Sequence, residues 1–282
     1  MGHHNRHYSG DRYANAGVWG KPTSTANFCE EDYAVTLYIA EFINTLTNLA
    51  YSKCPWLKLH LLPVRLLTAQ VYFAIRYPGP RAPSKKGGPA PPPSWKHPDV
   101  FSISLWVLGA LSFTFHATLK HSTQYGDELA MLVLGGALMH GSYGPRSWTA
   151  GIVSWSLVTV ASALYLKTGQ ILHQVWAFQA MIFVVGVRTF YLILGDRRTA
   201  QGTPVLKYPT RMYLVRYAWS LATLGFGYFL WHVDLEGCGP LRELRAFVGL
   251  PWAWLLELHG WWHVLTALGA SLYIRLLRDL EP

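Results

Sequence analysis

Cysteine is scarce: Cys29, Cys54 and Cys238 are all there is in 282 residues, and no CxxC pair occurs. That excludes a disulfide scaffold. Charge is scarce as well. Asp, Glu, Lys and Arg make up 14% of the chain, against about 25% for a soluble domain. The first twenty residues, MGHHNRHYSGDRYANAGVWG, hold no apolar core, so no signal peptide is read there and the first span is expected to insert the chain. Strand alternation and soluble repeats are missing too. The net charge of +9 comes without any nucleic-acid recognition motif, and its basic residues cluster between apolar runs. They fit membrane orientation, and no nucleic acid is expected as partner.

Apolar residues reach 51%, with 13 Trp. Measured against about 20 residues per span, seven runs qualify: Tyr33–Ser52, Val100–Leu119, Glu128–Tyr143, Trp148–Leu166, Ile171–Leu194, Tyr213–Trp231 and Trp252–Tyr273. The third is short. The reading is an all-α polytopic membrane protein, a seven-transmembrane helix bundle forming one domain. The stretch at about 53–98 interrupts it. Leu57–Tyr77 is apolar but holds Lys58, His60, Pro63, Arg65 and Arg76, which suits an interfacial surface helix. A re-entrant piece or a poor eighth span are the alternatives. The basic Pro/Gly-rich loop at 78–98 reads as disordered.

Of the 24 Lys and Arg, 15 fall on the side of the C-terminus and 7 on the side of the N-terminus. The positive-inside rule then gives a lumenal segment 1–32, a membrane domain 33–278 and a short cytosolic tail 279–282. With this topology Cys29 and Cys238 share the oxidising side, where a disulfide persists; two free thiols are the alternative.

Three histidines lie where an ionisable group is costly: His116, His259 and His263. His259 and His263, four apart, share one helical face. Three imidazoles are what a catalytic zinc uses while keeping a fourth position open. Asp127 follows eleven residues after His116. A lone histidine on an apolar helix is more often a hydrogen-bonded interior residue, and His140, His173 and His232 fit that description. The trio differs because the topology brings it to one leaflet with Asp127 and with Glu30, Glu31 and Asp32. Glu41, nine residues into the first run, needs a cation partner, whereas Glu31 suits a solvated helix start. Asn44 and Asn48 read as interhelical hydrogen-bonding groups.

The strings WGKPTSTANFCEEDYAVTLYIAEFINTLTN at 19–48, SFTFHATLKHSTQYGDELAM at 112–131 and ELHGWWHVLTALGASLYI at 257–274 together resemble the alkaline ceramidase family. These are seven-span membrane zinc amidases, related to the adiponectin receptors. The resemblance, strongest to fungal members, covers most of the chain except 53–98. It implies zinc (Zn2+) on His116, His259 and His263, catalytic roles for Ser112 and Asp127, and a disulfide between Cys29 and Cys238. It also implies a calcium (Ca2+) site on Asn27, the Phe28 carbonyl, Glu30, Asp32 and Glu41. The family has Asp, Trp and Asn where this chain has Asn27, Phe28 and Asp32, so the carboxylate number is unchanged. The expected activity is hydrolysis of the amide C–N bond of a ceramide or phytoceramide taken from the bilayer, in the endoplasmic reticulum or Golgi. No obligatory protein partner is expected. An i−4 backbone bond is the plainer reading of Ser112, and packing or interfacial anchoring that of Trp261 and Trp262. His121 and Glu128 stay unassigned. The competing function is a weakly catalytic or non-catalytic receptor or sensor of the adiponectin-receptor type.

Overall fold

The computed structural model describes residues 11–49, 99–144, 146–195, 206 and 208–280. The surface helix expected at 57–77, the loop at 78–98, Cys54 and the last two residues of the tail lie outside the described residues. What is described is all-helical, with no strand: α1 Phe42–Leu49, α2 Val100–Thr118, α3 His121–Ser142, α4 Trp148–Thr168, α5 Ile171–Leu194, α6 Thr210–Glu236, α7 Cys238–Val248 and α8 Leu258–Leu280. A 3-10 turn, Trp252–Leu256, precedes α8.

Three of these, α2, α4 and α5, are long and apolar enough to cross a bilayer. Helices α3, α6 and α8 match them in length, at 22, 27 and 23 residues, but carry more polar side chains. Helix starts depart from the apolar runs by more than one turn in three places. The first run yields a helix only from Phe42, because Tyr33–Glu41 is spent in turns; Tyr33 takes a left-handed φ of 54°, and its N–H bonds the Ala40 carbonyl. Helix α3 starts at His121 rather than Glu128, so Asp127 sits two turns inside it instead of opening it. The last helix starts at Leu258, after the 3-10 turn, rather than at Trp252.

The chain forms two compact units. Among the described residues, one gathers 11–49, 108–127 and 222–269; the other gathers 99–107, the described part of 128–221, and 270–280. In the second unit, α4 and α5 form a tight hairpin, and Leu132, Val158, Ala161 and Met181 build its core. Ser147 caps α4, its hydroxyl accepting from the Ala150 N–H. A second core joins Leu192, Ile193, Tyr213, Leu276 and Leu280. Ion pairs Arg278–Asp99 and Arg216–Asp279, both with 2.7 Å contacts, tie the chain's C-terminal end into this unit.

The first unit holds the residues of interest. A helix leaves its last carbonyls without intrahelical donors. Those of α2 receive donors from the N-terminal segment. Glu41 N–H donates to the His116 carbonyl, Ala40 N–H to Ala117, and Thr23 and Ser24 N–H to Leu119, each at 3.0 Å. Buried Gln124 of α3 accepts from the Thr25 N–H at 2.7 Å. Phe28, Tyr33, Ala40, Phe115 and Leu119 form the core under this wrapping.

Candidate metal centre

His116 ends α2, and His259 and His263 sit one turn apart at the start of α8. All three are buried. Their ligand nitrogens lie within 4.8 Å of one another, so the three could hold one ion.

The surroundings decide which nitrogen each ring offers. Glu41 precedes α1 directly, and its N–H bond to the His116 carbonyl places its carboxylate beside the same residue's ring. Glu41 Oε2 and His116 Nδ1 are 2.5 Å apart, which leaves Nε2 for a ligand. On α1, the Thr47 hydroxyl donates to the Asn44 carbonyl at 2.9 Å. Its oxygen therefore accepts from His263 Nδ1, also at 2.9 Å, and Nε2 is again the open nitrogen. Asn48 Nδ2 lies 3.2 Å from the same Nδ1. Helix α1 reaches α8 this closely at Gly260, where a Cβ would stand 3.1 Å from side-chain atoms of both Ile43 and Thr47. Among the described residues, the buried His259 Nδ1 has no hydrogen-bond partner. A buried polar atom with no partner calls for an explanation. Three neutral imidazoles, two of them oriented through Nδ1 and one with an orphaned nitrogen, fit a zinc ion in donor type and number.

Acidic groups crowd next to the trio. Glu30 accepts from the N–H groups of Ile43 and Asn44 at 2.6 and 2.8 Å, capping α1 from twelve residues upstream. Asn27 Nδ2 donates to Asp32 Oδ2 at 3.4 Å, while the buried Asp32 Oδ1 has no hydrogen-bond partner among the described residues. Glu41 Oε1 accepts from the Phe28 N–H at 3.2 Å. Burial first, then the charge of Glu41, pushes the Glu30 carboxyl well above its usual range. Burial, then Glu41 and Asp11, pushes Asp32 up to about 8. Both carboxyls thus sit in a buried cluster with a surplus of acidic groups.

Two arginines of α7 offset part of that surplus. Buried Arg245 donates to the carbonyls of Cys29 and Leu256 at 2.9 Å and lies 2.9 Å from Glu257 and 3.7 Å from Asp234. Arg242 pairs with Asp11 and donates to the Cys29 carbonyl at 3.0 Å. Asp234, fully buried, accepts from the Cys29 N–H at 3.0 Å and the His259 N–H at 3.3 Å. The Cys29 and Cys238 sulfurs are joined, with Cα atoms 5.3 Å apart. The N-terminal segment is thus fixed to α6, α7 and the start of α8 at one point.

The sequence reading missed Asp11, Asp234, Arg242, Arg245, Glu257 and Thr47. A usable signal existed for the arginines: they stand three apart in a short loop between apolar runs, one turn of a helix. Asp234 and Thr47 carried none. Ser112 is buried one turn before His116, and Asp127 is half-buried in α3. Glu31 is exposed.

Residues 20–281 match the sequence model of the family described as Ceramidase. Alkaline ceramidase 3 of Mus musculus is 29% identical over 265 residues, covering 92% of this chain and 84% of that protein. Alkaline ceramidase YPC1 of Saccharomyces cerevisiae is 28% identical over 289 residues, covering 94% of this chain and 79% of that protein. An alkaline ceramidase of Arabidopsis thaliana is 25% identical over 250 residues, with coverages of 88% and 80%. With the family match spanning nearly its whole length, the chain belongs to the ceramidase family.

Proposed function

We propose that the protein is a zinc-dependent membrane amidase that hydrolyses the amide bond of ceramide or phytoceramide to a sphingoid base and a fatty acid. The observation that carries this reading is the buried histidine trio within a chain of the ceramidase family. The relatives' names supply the substrate class.

His116, His259 and His263 would hold the zinc, which supplies a Lewis acid and a nucleophile usable at neutral pH. Glu41 holds His116 in one tautomer and orientation, and Thr47 does the same for His263. Ser112 shares a helical face with His116, and its hydroxyl is assigned to the oxyanion that develops on the amide carbonyl. Asp127 is assigned the proton traffic: it takes a proton from the attacking water and returns it to the leaving amine. The substrate reaches the site from lipid, with the N-terminal segment lumenal as the charge asymmetry favours. Seven spans and an endoplasmic-reticulum or Golgi location go with this reading.

Calcium is assigned to Asn27, the Phe28 carbonyl, Glu30, Asp32 and Glu41. Its support is the charge surplus. Glu30, Asp32, Glu41, Asp234, Glu257 and Asp11 are buried at their carboxyls, and the arginines pairing with them among the described residues are Arg242 and Arg245. Removing calcium with a chelator that spares zinc is expected to lower activity by loosening the N-terminal segment; full activity would remove this assignment.

The test of the activity is sphingoid-base release from phytoceramide by purified protein beside His263→Ala. Release by the wild type, abolished in the variant, is expected. No release from a folded, zinc-loaded wild type would overturn the reading in favour of a sensor.

A further inference from the structure

Two of the three histidines are oriented through a side-chain bond at Nδ1, and the third is not. His116 has Glu41 and His263 has Thr47, but His259 Nδ1 has no hydrogen-bond partner among the described residues. The terminal torsion of a histidine is broad, so without such a bond its ring plane must be fixed by packing. One group packs flat on it. The Phe28 ring stacks on the His259 ring, centroids 3.6 Å apart and planes 28° from parallel.

Phe28 is itself held on every side. Its N–H donates to Asn27 Oδ1 at 2.8 Å and to Glu41 Oε1 at 3.2 Å. Its ring meets Phe115 edge-on, with centroids 6.4 Å apart and planes at 71°. The next residue, Cys29, is tied through its N–H to Asp234, through its carbonyl to Arg242 and Arg245, and through its sulfur to Cys238. A face anchored this way can hold an imidazole as firmly as a hydrogen bond.

We propose that the Phe28 side chain is a positioning residue for the metal centre, fixing the plane of His259 where the other two histidines use hydrogen bonds. The role is separate from the carbonyl of the same residue. Through its N–H on Glu41, which also holds His116, Phe28 bears on two of the three histidines at once. The proposal rests on the trio being a zinc site.

Its test measures metal rather than turnover. Zinc affinity is determined by chelator competition, and the site geometry by the visible spectrum of the cobalt-substituted protein. Four proteins are compared: wild type, Phe28→Leu, Phe28→Trp and Tyr33→Leu. Phe28→Leu keeps an apolar side chain without a flat face. It is expected to weaken zinc about tenfold, as loss of an outer partner of a ligand does, and to change the cobalt bands. Phe28→Trp restores a face and is expected to stay near wild type in both. Tyr33→Leu damages the same core and is expected to lower Tm with zinc affinity kept within about twofold, well short of the outer-partner loss. If Phe28→Leu does not fold, Phe28→Met replaces it.

Wild-type affinity and cobalt bands in Phe28→Leu would overturn the proposal and leave the zinc site standing. So would an equal loss in Tyr33→Leu or in Phe28→Trp. A wild type that binds neither zinc nor cobalt would overturn the metal site and the proposal together.

Discussion

Arg245 shows what single side chains do beside the centre. Its guanidinium satisfies two backbone carbonyls and faces two buried carboxylates. Removing one partner of a buried charge network leaves the others uncompensated. Arg245→Met is expected to cost about 3–5 kcal/mol, and Arg245→Lys to recover little, because an ammonium lacks the planar fork. Thermal unfolding in detergent checks both; a Tm within a degree of wild type for Arg245→Met would contradict the role. At this scale the sequence was legible wherever chemistry is costly. Buried histidines and Glu41 stand out inside apolar runs. Asn48 was expected to bond between helices; its Nδ2 donates within α1 to the Asn44 carbonyl at 3.0 Å and lies 3.2 Å from His263 Nδ1. Asp234 and Thr47 were not legible: an acid at the edge of an apolar run and a threonine within one have many ordinary uses, and only tertiary placement assigns them.

Element boundaries follow from capping partners distant in sequence. Helix α1 begins at Phe42 because Glu30 accepts from its first free N–H groups and because Ala40 and Glu41 are committed to the end of α2. An apolar run read against span length has no view of such partners, so its start at Tyr33 was nine residues early. The third run was short for the opposite reason: HSTQYG is polar but still helical, so the helix starts at His121, ahead of the apolar run. Close approach of α6 to α8 has a sequence mark in Gly269, where a Cβ would stand 2.6 Å from Leu224 Cγ and 3.3 Å from its backbone nitrogen. Gly269→Ala is expected to destabilise by about 1–3 kcal/mol through overpacking. Gly225→Ala, whose Cβ meets nothing within 4 Å, is expected to cost nothing. Equal Tm changes for the two variants would contradict this packing.

Across the whole molecule, the helical class and the apolar helices were legible because hydrophobic length is a direct physical demand of the bilayer. Among the described residues three helices meet that demand in length and composition; polar residues of α3 and α6 serve contacts such as Gln124–Thr25 and Asp234–Cys29. The candidate metal centre lies where three remote stretches meet: the end of α2, the start of α8 and the segment before α1. That segment caps α2, supplies Glu41 to one histidine and Phe28 to another, and is joined to the start of α7 across 209 residues of sequence. The proposed zinc would sit at this meeting point. The most direct test strips the purified protein of metal, then follows sphingoid-base release from ceramide while zinc is returned. The expected result is an inactive stripped protein whose rate returns in proportion to zinc bound, levelling at one ion per chain. A stripped protein that keeps its full rate, or regains it with calcium alone, would contradict the account.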